Sequence, residues 1–204
     1  KIKTNDILIV DGGMGMVIVN PDAETLRIYQ QEEEKLKGVA ERFISAKSLP
    51  AVTRDGKTIE INANIELPDE VPAVKLHGAQ GIGLYRTEFF YMNRKGLPSE
   101  EEHYQAYKYV ADQMKPYSVV IRTLDLGGDK FLSQFEMPAQ MQPFLGWRAI
   151  RFCLAQPDIF KVQLRAILRA SVHGKLKLMY PMISGLEELR QANKILDEAK
   201  EELK

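Results

Sequence analysis

The chain has 204 residues, 45% of them hydrophobic and 27% charged, the profile of an ordinary soluble globular chain of one or two domains. Its 28 basic residues balance 28 acidic ones, which excludes an overall field steering nucleic acid or anionic lipid, so any anion binding has to come from locally placed arginines. The single cysteine, Cys153, excludes an intrachain disulfide framework, no apolar stretch approaches the roughly 20 residues of a membrane span, and with no secretory signal visible the cytoplasm is the default location.

Asp6-Ile7-Leu8-Ile9-Val10, Asp11-Gly12-Gly13 and Met16-Val17-Ile18-Val19 read as two short strands around a Gly-rich turn. Asn20 reads as the N-cap of a following helix, with Pro21 at the first helical position and Glu24 as the acid of a capping box. That helix is expected over residues 22–45. Its charges dominate and its apolar residues Leu26, Tyr29, Leu36, Val39 and Phe43 form only one stripe, so it is the best linker candidate.

After Leu49-Pro50 the pattern changes to strands alternating with helices. Strands are expected over 58–65, 81–88, 118–125 and 175–183, with helices near 72–78 and 99–114. A helical region over 146–171 is divided near Gln156-Pro157, and Ser184 opens a last helix. Such alternation argues for a parallel sheet with crossover helices, and four βα units are half of a (β/α)8 barrel. A half barrel would leave apolar strand edges unpaired, so we expect the other half in a longer protein rather than association through those edges. The start at Lys1 without methionine, and the stop at Lys204 inside a charged helical pattern, also suggest a fragment.

Arg86 and Arg122 each end a strand-like apolar run, in Gly81-Ile82-Gly83-Leu84-Tyr85-Arg86 and Val119-Val120-Ile121-Arg122. An arginine at such a position can hold a carboxylate or phosphate bidentately in a crevice built from strand ends. The alternative for each is a salt bridge to a strand-end acid, Glu88 or Asp125. Gly127-Gly128-Asp129-Lys130 lacks the length and spacing of a P-loop and reads as a flexible turn. His77, His103 and His173 have no metal-ligand spacing and read as surface or packing residues. Cys153 falls in a helical apolar run and reads as core. Arg165 and Arg169, four apart on one helix face, read as interhelical ion-pair partners.

The runs Gly81 to Met92, Leu97-Pro98-Ser99-Glu100-Glu101-Glu102, Ile121 to Lys130 and Pro143 to Arg151 resemble phosphoenolpyruvate-protein phosphotransferase, the enzyme I family of the bacterial sugar phosphotransferase system. Pyruvate phosphate dikinase and phosphoenolpyruvate synthase share the Arg-Thr-Glu strand end. The Leu-Tyr-Arg-Thr-Glu-Phe run and its Leu-Pro-Ser-Glu-Glu-Glu continuation resemble enzyme I more closely.

The resemblance implies a relay in which phosphoenolpyruvate at a barrel mouth phosphorylates a histidine on a swivelling domain, which then charges the carrier protein HPr for sugar uptake. It implies that residues 1–21 are the last strands of that phosphohistidine domain, 22–48 a linker helix, and 49–204 the N-terminal half of the phosphoenolpyruvate-binding TIM barrel. On this resemblance Arg86 and Arg122 grip the substrate, with Arg148 and Asn64 as secondary candidates. Arg148 could instead partner an acid on a neighbouring loop, and Asn64, closing the first barrel strand, could equally cap a turn. The phosphorylated histidine, the Mg2+ ligands and the cysteine acid would lie outside this chain, so the segment alone is expected to be catalytically incomplete. The full-length protein is expected to be a homodimer. A non-catalytic half-barrel scaffold, or the equivalent segment of pyruvate phosphate dikinase or phosphoenolpyruvate synthase, is the alternative reading.

Overall fold

In the computed structural model, which describes residues 2–92, 94, 96–126 and 146–204 and leaves out the side chains of residues 40–46, Gly12 to Gly15 turn the chain back on itself. Strands β1 (Leu8–Asp11) and β2 (Met16–Val19) pair antiparallel, with Leu8 opposite Val19 and Asp11 opposite Met16. Asp11 Oδ1 accepts from Met14 N at 2.9 Å inside the turn. Helix α1 (Ala23–Ala46) follows.

The expected cap is corrected here. Asn20 adopts a left-handed backbone, φ 50°, and its amide closes the hairpin instead: Oδ1 accepts from Ile7 N at 3.0 Å and Nδ2 donates to Asp6 Oδ1 at 2.9 Å. Asp22 caps the helix, accepting from Thr25 N at 2.7 Å. Asparagine suits the first job because it tolerates the left-handed region, and a short carboxylate next to the first turn does the second. Lys1–Leu49 form one compact unit and Pro50–Lys204 another.

The second unit is mixed α/β, with four parallel strands in the order β3 (Ala63–Ile65), β4 (Gly81–Arg86), β5 (Ser118–Arg122), β6 (Lys175–Met179). Each is shorter than the strand expected from the sequence. Residues 58–62 alternate as a strand would, but β4 begins only at Gly81 and Ala63 already pairs with Ile82, so no neighbouring strand reaches that far back. Thr58 forms an antiparallel bridge to Val52 instead. At the other end β4 stops at Arg86, because Glu88–Tyr91 turn into a 3-10 helix.

The helices are α2 (Val71–Leu76), α3 (Glu100–Met114), α4 (Ile150–Ala155), α5 (Pro157–Ala170) and α6 (Leu186–Glu201). Helix α3 starts where Ser99 and Glu102 form a capping box: Glu102 N donates to Ser99 Oγ at 3.2 Å and Ser99 N to Glu102 Oε2 at 2.7 Å. The expected break between α4 and α5 falls at Gln156-Pro157, since proline has no N–H to continue the first helix and its fixed φ opens the second. Ser184 precedes α6 without being its N-cap, a role that falls to Gly185. Ser184 N and Oγ donate to Glu188 Oε2 at 2.6 and 3.0 Å.

One face of the sheet is packed. Ile65, Tyr85, Val119 and Ile121 bury against Val71 and Val74 of α2, Tyr107, Val110 and Met114 of α3 and Ile167 of α5. Alternation then sends Asn64, Glu66, Arg86, Val120 and Arg122 to the opposite face, where side chains are only half-buried or exposed. A second core, with Leu124, Ile150, Phe152, Cys153, Phe160, Leu164 and Ala192, lies beyond the end of β5. The result is a sheet with apolar support on one side and charged strand ends on the other.

Candidate functional site

Arg86 and Arg122 are direct register partners on β4 and β5, so two guanidinium groups emerge side by side from the C-terminal edge of the sheet. Arg86 Nη1 pairs with Glu66 Oε1 at 2.7 Å, where Glu66 follows β3 directly. Arg122 is held from two sides. Its Nη2 makes a short contact to Glu88 Oε1, and its Nη1 lies 3.0 Å from Asp125 Oδ2. Arg148, just before α4, joins the same carboxylate, with Nη2 2.9 Å and Nε 3.2 Å from Asp125 Oδ1. The chain of charges Glu88, Arg122, Asp125, Arg148 therefore runs continuously, with Arg86 and Glu66 beside it.

Burial differs along this array. The Arg86 and Glu66 side chains are 40% and 37% exposed, whereas Arg122, Glu88 and Asp125 are 19%, 10% and 11% exposed. Removal from water pushes the Glu88 carboxyl above its ordinary value, more than the adjacent Arg122 pulls it down. Among the described residues, Arg122 Nε and Glu88 Oε2 have no hydrogen-bond partner. Arg122 thus keeps a donor direction in hand, and Arg86 is open to solvent. Three guanidinium groups balanced by three carboxylates can exchange a carboxylate for an incoming anion without first having to be gathered.

The sequence placed Arg86 and Arg122 at strand ends and gave Arg148, near a helix start, as a secondary candidate; the structure brings all three to this edge. It also shows the ion pairs that were the alternative for Arg122 and Arg148. For Arg86 the expected partners Glu88 and Asp125 are replaced by Glu66, because β3 ends beside β4 and delivers its next side chain to that edge. Asn64 is the middle residue of β3 and exposed, so it neither closes the strand nor caps a turn; it shares a sheet face with Glu66. Glu66 and Gln163 were not singled out from sequence. The signal for Glu66 was its position directly after a strand, the same that marked the arginines. The Gly127-Gly128-Asp129-Lys130 turn lies outside the described residues.

His103 is fully buried, and desolvation pushes it down to about 4, so it is neutral and part of the packing. His173 bonds Tyr104 Oη through Nε2 at 3.1 Å, and His77 is an exposed helix-end residue. Cys153 is buried and its thiol is pushed up to about 12. Arg165 and Arg169 reach across to Glu100 of α3 at 2.7 and 2.8 Å. Among the described residues no three His, Cys, Asp or Glu side chains gather as they would around a metal ion. None of the described helices is long and apolar enough to cross a membrane.

The family model described as "PEP-utilising enzyme, PEP-binding domain" matches residues 40–204. Over 204 residues the chain is 52% identical to a phosphoenolpyruvate-protein phosphotransferase of Staphylococcus aureus (strain MSSA476), all of this chain aligning with 36% of that protein. It is 51% identical over 203 residues to the protein of that name from Geobacillus stearothermophilus, of which it covers 35%, and 47% identical over 204 residues to that from Staphylococcus carnosus (strain TM300). The chain spans 36% of the length of the first of these relatives. With more than half its residues matched by the family model, and with clustered strand-end arginines suited to an anion, the chain belongs to the PEP-utilising enzymes, in their PEP-binding domain.

Proposed function

We propose that this chain is the phosphoenolpyruvate-anchoring segment of a longer phosphoenolpyruvate-protein phosphotransferase. The observation that carries the reading is the side-by-side exit of Arg86 and Arg122 from one edge of a parallel sheet, with Arg148 brought to the same carboxylate as Arg122. Phosphoenolpyruvate carries a phosphate and a carboxylate. Planar guanidinium forks recognise both, and their fixed charge stabilises oxygens that gain charge as the phosphoryl group leaves. Glu66, Glu88 and Asp125 orient those forks and neutralise them until the anion arrives.

Residues 49–204 act as the first half of a barrel, a reading supported by four parallel strands with only one face covered by packed helices, since parallel sheets ordinarily bury both. Residues 1–21 close the phosphohistidine domain and 22–48 connect the two. The phosphoaccepting histidine, the partner HPr and the dimer contacts belong to the whole protein. A magnesium ion, when bound there, supplies positive charge to the phosphate oxygens. The resemblance puts its ligands in the rest of the protein; among the described residues Glu66, Glu88 and Asp125 are engaged by arginines.

Calorimetric titration of this chain with phosphoenolpyruvate and magnesium, beside Arg86→Ala, tests the reading. Binding that the variant lacks supports it. The other reading, a half-barrel scaffold that binds no ligand, draws on the fact that each guanidinium already has a carboxylate; the absence of binding by this chain, and full activity of an Arg86→Ala full-length protein, would favour it.

A further inference from the structure

Gln163 of α5 is a 1% exposed polar side chain, and its amide bonds to both arginine-bearing strand exits as well as to Tyr107 of α3. Its Oε1 accepts from Leu124 N at 3.0 Å, two residues past Arg122. Its Nε2 donates to Thr87 Oγ1 at 2.9 Å, the residue after Arg86, and to Tyr107 Oη at 3.1 Å. Thr87 Oγ1 in turn donates to the Arg122 carbonyl at 2.9 Å. Arg86 and Arg122 are the last register pair of the β4–β5 ladder, so the course of the two chains past them, and with it the aim of the two arginines, depends on whatever ties the exits together. Here the tie is Thr87 and Gln163.

The directions of the bonds around Gln163 and Thr87 follow from one fixed donor and one fixed acceptor. Leu124 N–H can only donate, so the amide oxygen of Gln163 faces it and the amide nitrogen faces Thr87 and Tyr107. The Arg122 carbonyl can only accept, so the Thr87 hydroxyl spends its proton there and receives one from Gln163. Tyr107 Oη, also receiving a proton from Gln163, lies 2.9 Å from His103 Nδ1, and His103 Nε2 lies 3.1 Å from Tyr91 Oη, so the network runs on into a neutral, desolvated imidazole.

We infer that Gln163 is a positioning residue of the anion site, holding the Arg86-Thr87 and Arg122-Leu124 exits at the spacing that lets both arginines reach one ligand. The inference rests on the function proposed above. It assigns Gln163 no contact with substrate. Its effect passes through Thr87 and the backbone of Arg122.

The test uses the full-length protein, phosphoenolpyruvate with magnesium as the probe, and the dissociation constant by calorimetry. Gln163→Met and Thr87→Val each weaken binding about tenfold, the scale of one lost hydrogen-bonded connection. Both changes cut the same connection, so the double variant is also weaker by about tenfold, not about a hundredfold. Multiplying effects, or unchanged binding in either single variant while Arg86→Ala abolishes it, would overturn the role of Gln163 and leave the proposed function standing. Unchanged binding in Arg86→Ala would remove both. Proton exchange of the Gln163 side-chain amide in the unmutated protein provides a readout independent of any variant's folding: slow exchange is expected, and exchange as fast as that of an exposed amide would overturn the network.

Discussion

Arg122 lies between Glu88 and Asp125, bonded to both, while its register partner Arg86 has one carboxylate, Glu66, and faces solvent. The two arginines therefore stand at the same edge under different physical conditions. One belongs to a largely dehydrated charge chain, and the other forms a screened pair.

That difference predicts a split between stability and activity. Arg86→Ala and Arg122→Ala should both remove most phosphoryl transfer by the full-length protein. Arg86→Ala should change unfolding free energy by less than about 1 kcal/mol, as expected for a half-exposed pair. Arg122→Ala leaves Glu88 and Asp125 short of a counter-charge and should cost about 3 kcal/mol. Denaturant titration gives the stabilities and a coupled transfer assay the activities; equal destabilisation by both would contradict the burial argument.

Glu88 predicts a pH dependence. Its folded carboxyl sits above the ordinary value because of burial, so the folded state holds this proton more tightly than the unfolded chain. The stability contribution is present below the unfolded value and is lost as pH rises through the raised folded value. Relative to Glu88→Gln, the unmutated protein should lose stability from about pH 4 upward and level off once the folded carboxyl has ionised. Unfolding curves of both proteins across that range give the difference directly, and a difference that grows with pH would reverse the sign.

Cys153 should be inert while the protein is folded. Its thiol is 1% exposed and pushed up to about 12, so almost no thiolate is present at pH 8. Reaction with a disulfide reagent should be slow under native conditions and fast in denaturant, followed by absorbance of the released thiol.

Gly174 precedes β6 where the chain passes close to α3. A Cβ there would lie 2.7 Å from the Ala111 carbonyl oxygen and 3.2 Å from its carbon, both backbone atoms that cannot swing away. Gly174→Ala should destabilise the chain by about 2 kcal/mol, the scale of an overpacked core, and thermal unfolding would show it.

Much was legible from local patterns. Pro157 divides α4 from α5, Ser99 and Glu102 start α3, and the apolar runs ending in Arg86 and Arg122 become neighbouring strands because their alternation matches a sheet. Local signals failed where a side chain had two possible uses. Asn20 had the composition of a helix cap, yet closing the hairpin took its amide, and residues 58–62 had the alternation of a strand, yet Thr58 bridges back to Val52 instead of extending the parallel sheet.

The sequence by itself determined the order of strands and helices and which arginines end a strand, because periodicity, proline and capping chemistry act over a few residues. Only the tertiary structure decided that Glu66, and not Glu88, holds Arg86, that Asp125 is shared by Arg122 and Arg148, and that Gln163 ties two strand exits together. Apart from Arg122–Asp125, three positions apart, those contacts join residues 20 to 76 positions apart, set by strand register and helix packing that no local pattern encodes.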